Sequence, residues 1–144
     1  MKQVVLDYKS GKVESVDVPA PLLKARCLLV RTVASLVSVG TEKYMLEMGR
    51  KSLLGKALAR PDLVKQVVAK VQTEGILEAW HQAMGRLDTP VPLGYSSAGI
   101  VIEVGPGVED FTVGDRVACT GSGYASHAEV VCVPENLTCK IPEG

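Results

Sequence analysis

The chain has 144 residues, with Lys+Arg and Asp+Glu equal at 16 each and only 4% aromatic residues. That length suits one domain with one good core. A zero net charge and scarce rings argue against a field that draws the chain to nucleic acid or an anionic membrane, and against platforms for stacking bases.

The first residues, MKQVVLDYKSGK, carry Asp7 and Lys9 where a secretory signal would be apolar. Three strands are predicted over residues 2–37. VVLDY comes first, then KVESVDV with alternating Val and polar residues, then CLLVRTVASLV, separated by Ser10-Gly11 and by Pro19-Ala20-Pro21. The third run is too short to span a bilayer and contains Arg31. The chain is therefore expected to be soluble and cytoplasmic, without a membrane or nucleic-acid partner.

Residues 43–87 read as a helical insertion. From Pro61, Leu63, Val64, Val67, Val68 and Val71 fall on one helix face, and Gly75 ends it. Ile76, Leu77, Trp80 and Met84 make a second face, closed by Gly85. From Glu42 to Lys70 there are seven Lys/Arg against three acids; a solvated basic face explains this more simply than an anion site. His81 is expected on a helix surface.

Strand signals return at Pro90: SAGIVIEV, DRVAC and AEVVCVP, each bracketed by Gly, Pro or Asp. The fold class read from these elements is mainly β with a helical insertion, an α+β domain. His127 is expected at a strand edge, without a role as acid or base. Cys27, Cys119, Cys132 and Cys139 form no C-x-x-C pair and have no histidine at finger spacing, so they read as buried, reduced thiols. Gly121-Ser122-Gly123 follows a strand but leads into HAEVVCVP instead of opening a helix, so it is not a dinucleotide fingerprint. Gly105-Pro106-Gly107 fails for the same reason, and the cofactor-binding residues stay unassigned.

The string Gly94-x4-Gly99-x5-Gly105-x8-Gly114-Asp115-Arg116-Val117 contains GYSSAG, VGPGV and GDRV in order. Together with VGTEKY (39–44) and the ending CVPENLTCKIPEG, it resembles the signature of the medium-chain dehydrogenase/reductase superfamily, the zinc-type alcohol dehydrogenases and quinone reductases. The resemblance implies a GroES-like catalytic domain, a partly open β-barrel, followed after residue 144 by a Rossmann domain for NAD or NADP. It also implies a small-molecule substrate and allows a homo-oligomer. Where the zinc enzymes of the family place a Cys and a His as metal ligands, this chain has Val39 and Tyr95, and Ser96 stands at the place of a Glu. No zinc is expected, since Val offers no ligand atom.

What the resemblance leaves at the site is a set of hydroxyls. Thr41 matches the residue that hydrogen-bonds the substrate alcohol, Tyr44 falls at the place of a relay histidine, and Tyr95 and Ser96 complete the set. These are the candidate catalytic residues, as donors to a carbonyl oxygen that gains charge during hydride transfer. Each has a plainer reading. Thr41 caps a helix whose first turns run from Lys43 to Met48, and Tyr44 packs. LLGKALARPDLVKQVVAKVQTEG, with LGYSSAG and YASHAEVVCVPENL, is also similar to bacterial two-part oxidoreductases fused to a module of the glucose–fructose oxidoreductase and inositol dehydrogenase type, which implies a sugar or nucleotide-sugar substrate in polysaccharide synthesis. Two other readings compete: a binding or assembly module that kept the barrel and lost the chemistry, and a co-chaperonin, against which the helical insertion argues.

Overall fold

The computed structural model describes residues 1–8, 10–51, 55, 58, 65 and 89–142. The two helix faces from Leu63 to Met84, with Trp80 and His81, lie outside the described residues apart from Lys65. The strands are β1 (Lys2–Asp7), β2 (Lys12–Asp17), β3 (Cys27–Ser35), β4 (Val91–Pro92), β5 (Ser96–Val104), β6 (Arg116–Thr120), β7 (Val130–Pro134) and β8 (Thr138–Lys140), with helix α1 (Val39–Arg50) between β3 and β4. Among the described residues no helix is long and apolar enough to cross a membrane.

Two compact units divide the chain. The first comprises Met1–Val5, Ser15–Glu42 and Pro92–Gly144; the second comprises Leu6–Glu14 and Lys43–Val91. The first unit holds a five-stranded sheet in the order β7-β3-β5-β6-β8, and a second sheet has the order β2-β1-β4. β3 lies between its neighbours with its first half buried on both faces, through Cys27, Leu28, Leu29 and Val30. Leu28 and Val30 are fully buried, against Val101 of β5 and Val131 and Val133 of β7 in a core completed by Val117 and Ala125. Each large aliphatic side chain so buried contributes about 1.5–3 kcal/mol.

β3 and β5 pair antiparallel through Thr32↔Gly99 and Ala34↔Ala98, which leaves Val33 as an extra residue on β3. This is a β-bulge, which bends a strand and re-aims the side chains on either side of it. Gly99 is required opposite it, because a Cβ there would stand 2.2 Å from the Arg31 carbonyl oxygen.

In the second unit Leu6 is fully buried, and Asp7 accepts from the Gly11 N–H at its backbone and from Ser10 Oγ–H at its carboxylate, 2.8 Å and 2.6 Å. The cysteines correct one expectation. Cys27 and Cys119 are buried, Cys132 is intermediate and Cys139 is exposed, because β8 is a three-residue strand at the sheet edge. Burial pushes the Cys27 thiol up, and the adjacent Cys132 thiol adds to that. Burial likewise raises Cys119.

Candidate functional site

Helix α1 starts earlier than its sequence suggests. Its first helical hydrogen bond runs from the Glu42 N–H to the Ser38 carbonyl, 2.9 Å. Ser38 is thus the capping residue, and its own N–H donates to Glu42 Oε1 at 3.1 Å, so residue and acid satisfy each other across the first turn. Thr41 therefore does not cap a helix that begins at Lys43. It lies inside the first turn, exposed, and its Oγ1 accepts from Ser38 Oγ–H at 3.3 Å. A hydroxyl has one hydrogen to give, so with Ser38 as donor Thr41 keeps its own.

Tyr95 and Ser96 open β5 and are half-buried. The Tyr95 carbonyl accepts from the Gly121 N–H at 2.9 Å and Thr120 Oγ1–H at 3.4 Å. The Ser96 carbonyl accepts from the Leu36 N–H at 3.0 Å, which sets the connection between β3 and α1 beside GYSSAG. That bond joins Leu36, five residues before Thr41 in the chain, to the opening of β5. Tyr44 belongs to the second unit and is 55% exposed.

His127, expected at a strand edge, joins β3, α1 and the segment before Tyr95. Its Nε2 stands 3.1 Å from Glu42 Oε1, with the two side chains 10% and 11% exposed. Its Nδ1 stands 2.8 Å from Ser35 Oγ. Its backbone N–H donates to the Leu93 carbonyl, 2.8 Å, and its carbonyl accepts from the Val4 N–H, 2.8 Å. The imidazole also lies against Gly94, where a Cβ would come within 2.8 Å of the ring. Because a carboxylate only accepts, Nε2 carries the hydrogen. In the neutral ring Nδ1 is then the acceptor for the Ser35 hydroxyl. No local pattern marks this histidine: its two side-chain partners lie 85 and 92 residues away in the chain.

The donor set does not fit zinc. Val39, Tyr95 and Ser96 supply neither thiolate nor imidazole, and among the described residues no group of three or more His, Cys, Asp or Glu side chains converges. A phosphate cradle is not built at Gly121–Tyr124 either. There the N–H groups of Tyr124 and Ala125 turn back onto the Gly121 carbonyl, 3.1 Å and 2.9 Å, and the chain continues into β7 instead of a helix.

Residues 63–143 match the family model of the alcohol dehydrogenase GroES-like domain. The chain is 32% identical over 85 residues to a highly reducing polyketide synthase of Aspergillus carbonarius, covering 58% of this chain and 3% of that protein. It is 35% identical over 88 residues to L-threonine 3-dehydrogenase of Thermococcus kodakarensis, covering 54% of this chain and 25% of that one. In fold it is similar to the Escherichia coli quinone oxidoreductase complexed with NADPH, with a TM-score of 0.65 at 15% identity, over 99% of this chain and 33% of that chain. The chain thus spans a quarter or less of these curated relatives and a third of this solved structure.

Proposed function

The chain belongs to the alcohol dehydrogenase GroES-like domain family, and from that premise we propose that it is the substrate-side domain of an NAD(P)-dependent oxidoreductase that works without zinc. The observation that supports this reading is that Val39 and Tyr95, which do not make a zinc site, stand at the ligand positions, with the hydroxyls of Thr41 and Ser96 in the same two motifs. Thr41 is exposed in the first turn of α1, and Tyr95 and Ser96 stand at the opening of β5, where the Ser96 carbonyl accepts from the Leu36 N–H.

The nicotinamide supplies hydride chemistry when bound; the described residues offer no cradle for its phosphates, so we assign it to chain outside them. What this chain contributes is positioning and hydrogen bonding. A substrate carbonyl that takes up hydride turns into an oxyanion, and a fixed hydroxyl donor lowers the energy of that charge. Tyr44, 55% exposed, completes the proposed set as a relay to solvent. A sugar or nucleotide-sugar substrate is supported by the likeness to two-part bacterial oxidoreductases. The proposed setting is the cytoplasm, with self-association of the whole protein.

A second reading, a binding or assembly module, draws on one observation. Val33, Leu36, Val37 and Val39 are all 60% exposed or more on one stretch of chain, which suits docking of another protein surface. The test uses the whole protein with NADH or NADPH and a panel of aldoses, aldehydes and quinones. Turnover is expected, and Thr41→Val should lower the single-turnover rate about 10²-fold without shifting the melting temperature. Absence of nicotinamide-dependent turnover across the panel would favour the assembly module.

A further inference from the structure

The hydrogen bonds of His127 describe more than a buried pair. Ser35 Oγ, His127 Nδ1, His127 Nε2 and Glu42 Oε1 form one chain with links of 2.8 Å and 3.1 Å. The carboxylate end is sealed, with the Glu42 side chain 11% exposed and the His127 side chain 10% exposed. The hydroxyl end is open, since Ser35 is exposed at the last position of β3. Ser35 and His127 both line an open groove of about 310 Å³, whose walls also include Thr32, Gln3 and Lys2. The bulge at Val33 is what makes this wall. In a regular strand residues three apart point to opposite faces, and one extra residue returns Thr32 and Ser35 to the same side. Thr32 Oγ1 is buried there with no hydrogen-bond partner among the described residues. An unpaired buried hydroxyl costs free energy unless something supplies the missing bond.

We propose that Ser35 is a nucleophile, with His127 as its base and Glu42 as the carboxylate that orients it, and that the groove takes small activated esters for acyl transfer. A hydroxyl is a weak nucleophile unless a base accepts its proton as it attacks, and the base needs a third group to fix its tautomer. Here Glu42 holds the hydrogen on Nε2 and leaves the Nδ1 lone pair toward Ser35. The Ser35 proton passes to Nδ1 as Oγ bonds to the acyl carbon. The bond from that carbon to the alcohol oxygen breaks, and the departing oxygen takes the proton from Nδ1. Water then attacks the acyl-Ser35 ester with Nδ1 as base, releasing the carboxylic acid and restoring the serine. Nothing but ester and water is consumed, so the proposal is independent of any oxidoreductase activity.

The test treats the whole protein with p-nitrophenyl acetate and, separately, with an alkyl fluorophosphonate, and locates adducts by peptide mass spectrometry. Expected are a burst of p-nitrophenolate and a single adduct on Ser35. Ser35→Ala, which removes the hydroxyl and its bond to His127, should abolish both while the protein stays folded. His127→Gln should slow acylation by about 10²-fold or more, and Glu42→Gln should lower the acylation rate constant while the half-saturating ester concentration holds. Should His127→Gln fail to fold, the Ser35→Ala and Glu42→Gln results decide alone. No burst and no adduct, or labelling that survives Ser35→Ala, would show that the three residues are joined by structural hydrogen bonds only.

Discussion

Gly94 holds a φ of +90°, and the space where a side chain would begin is filled by the imidazole and backbone nitrogen of His127, 2.8 Å away. Both constraints demand glycine here. Gly94→Ala should therefore lower unfolding free energy by about 1–3 kcal/mol from backbone strain alone, with the clash against His127 adding to it. Denaturant titration checks the size, and the ¹⁵N signals of the His127 ring check the cause: both ring nitrogens should move. A normal melt with unmoved signals would contradict this packing. The glycine was legible in the sequence as part of a spaced motif, but its partner was not. The histidine stands 33 positions later in a segment that reads as strand, and only the folded register joins them. Thr41 was legible as a hydroxyl worth naming. Its role at the helix start was misread because Ser38 and Glu42 satisfy each other first.

At the scale of elements, alternation and turn residues were enough for β1, β2, β3, β5, β6 and β7, and in β5, β6 and β7 buried and less buried positions follow the pleat. β8 was missed because three residues carry no periodicity, and β4 is shorter still. Both exist only through their neighbours, β8 by pairing with β6 from Val117↔Lys140 to Cys119↔Thr138. The turn before β6 shows another device. Asp115 Oδ2 accepts from the Thr112 N–H at 2.8 Å and pairs with Lys140 Nζ at 2.9 Å. The Thr112 hydrogen bond and then Lys140 hold this carboxyl below the usual aspartate range. A carboxyl depressed in the folded state stabilises above its unfolded pKa of about 3.9, and that stabilisation fades as pH falls through the folded value. Asp115→Asn should accordingly melt below the parent at pH 6–7 and converge with it under acid. A melting gap that stays constant down to acid pH would refute the assignment.

For the whole molecule, the spaced glycines led to the right fold, since each marks a turn or close backbone approach that any member of the fold must make. They could not give the substrate, because that depends on side chains that tolerate change while the backbone does not. The same logic bears on metal. With Val39 and Tyr95 at the ligand positions, the whole protein should hold no stoichiometric zinc after dialysis against a chelator. Elemental analysis finding about one zinc per chain, as a four-ligand site binds, would overturn the zinc-free proposal.

The sheet order has a consequence for how the protein is made. β3 is flanked by β5 and β7, and both are translated well after it. At ~5–20 residues per second, an apolar strand beginning CLLV leaves the ribosome several seconds before either edge can be covered. Its pairings are distant in sequence, so closing them is slow, and both edges stay open to pairing with another chain meanwhile. Arg31 in the middle of that strand, exposed in the finished fold, is the charge that stands guard over it during the wait.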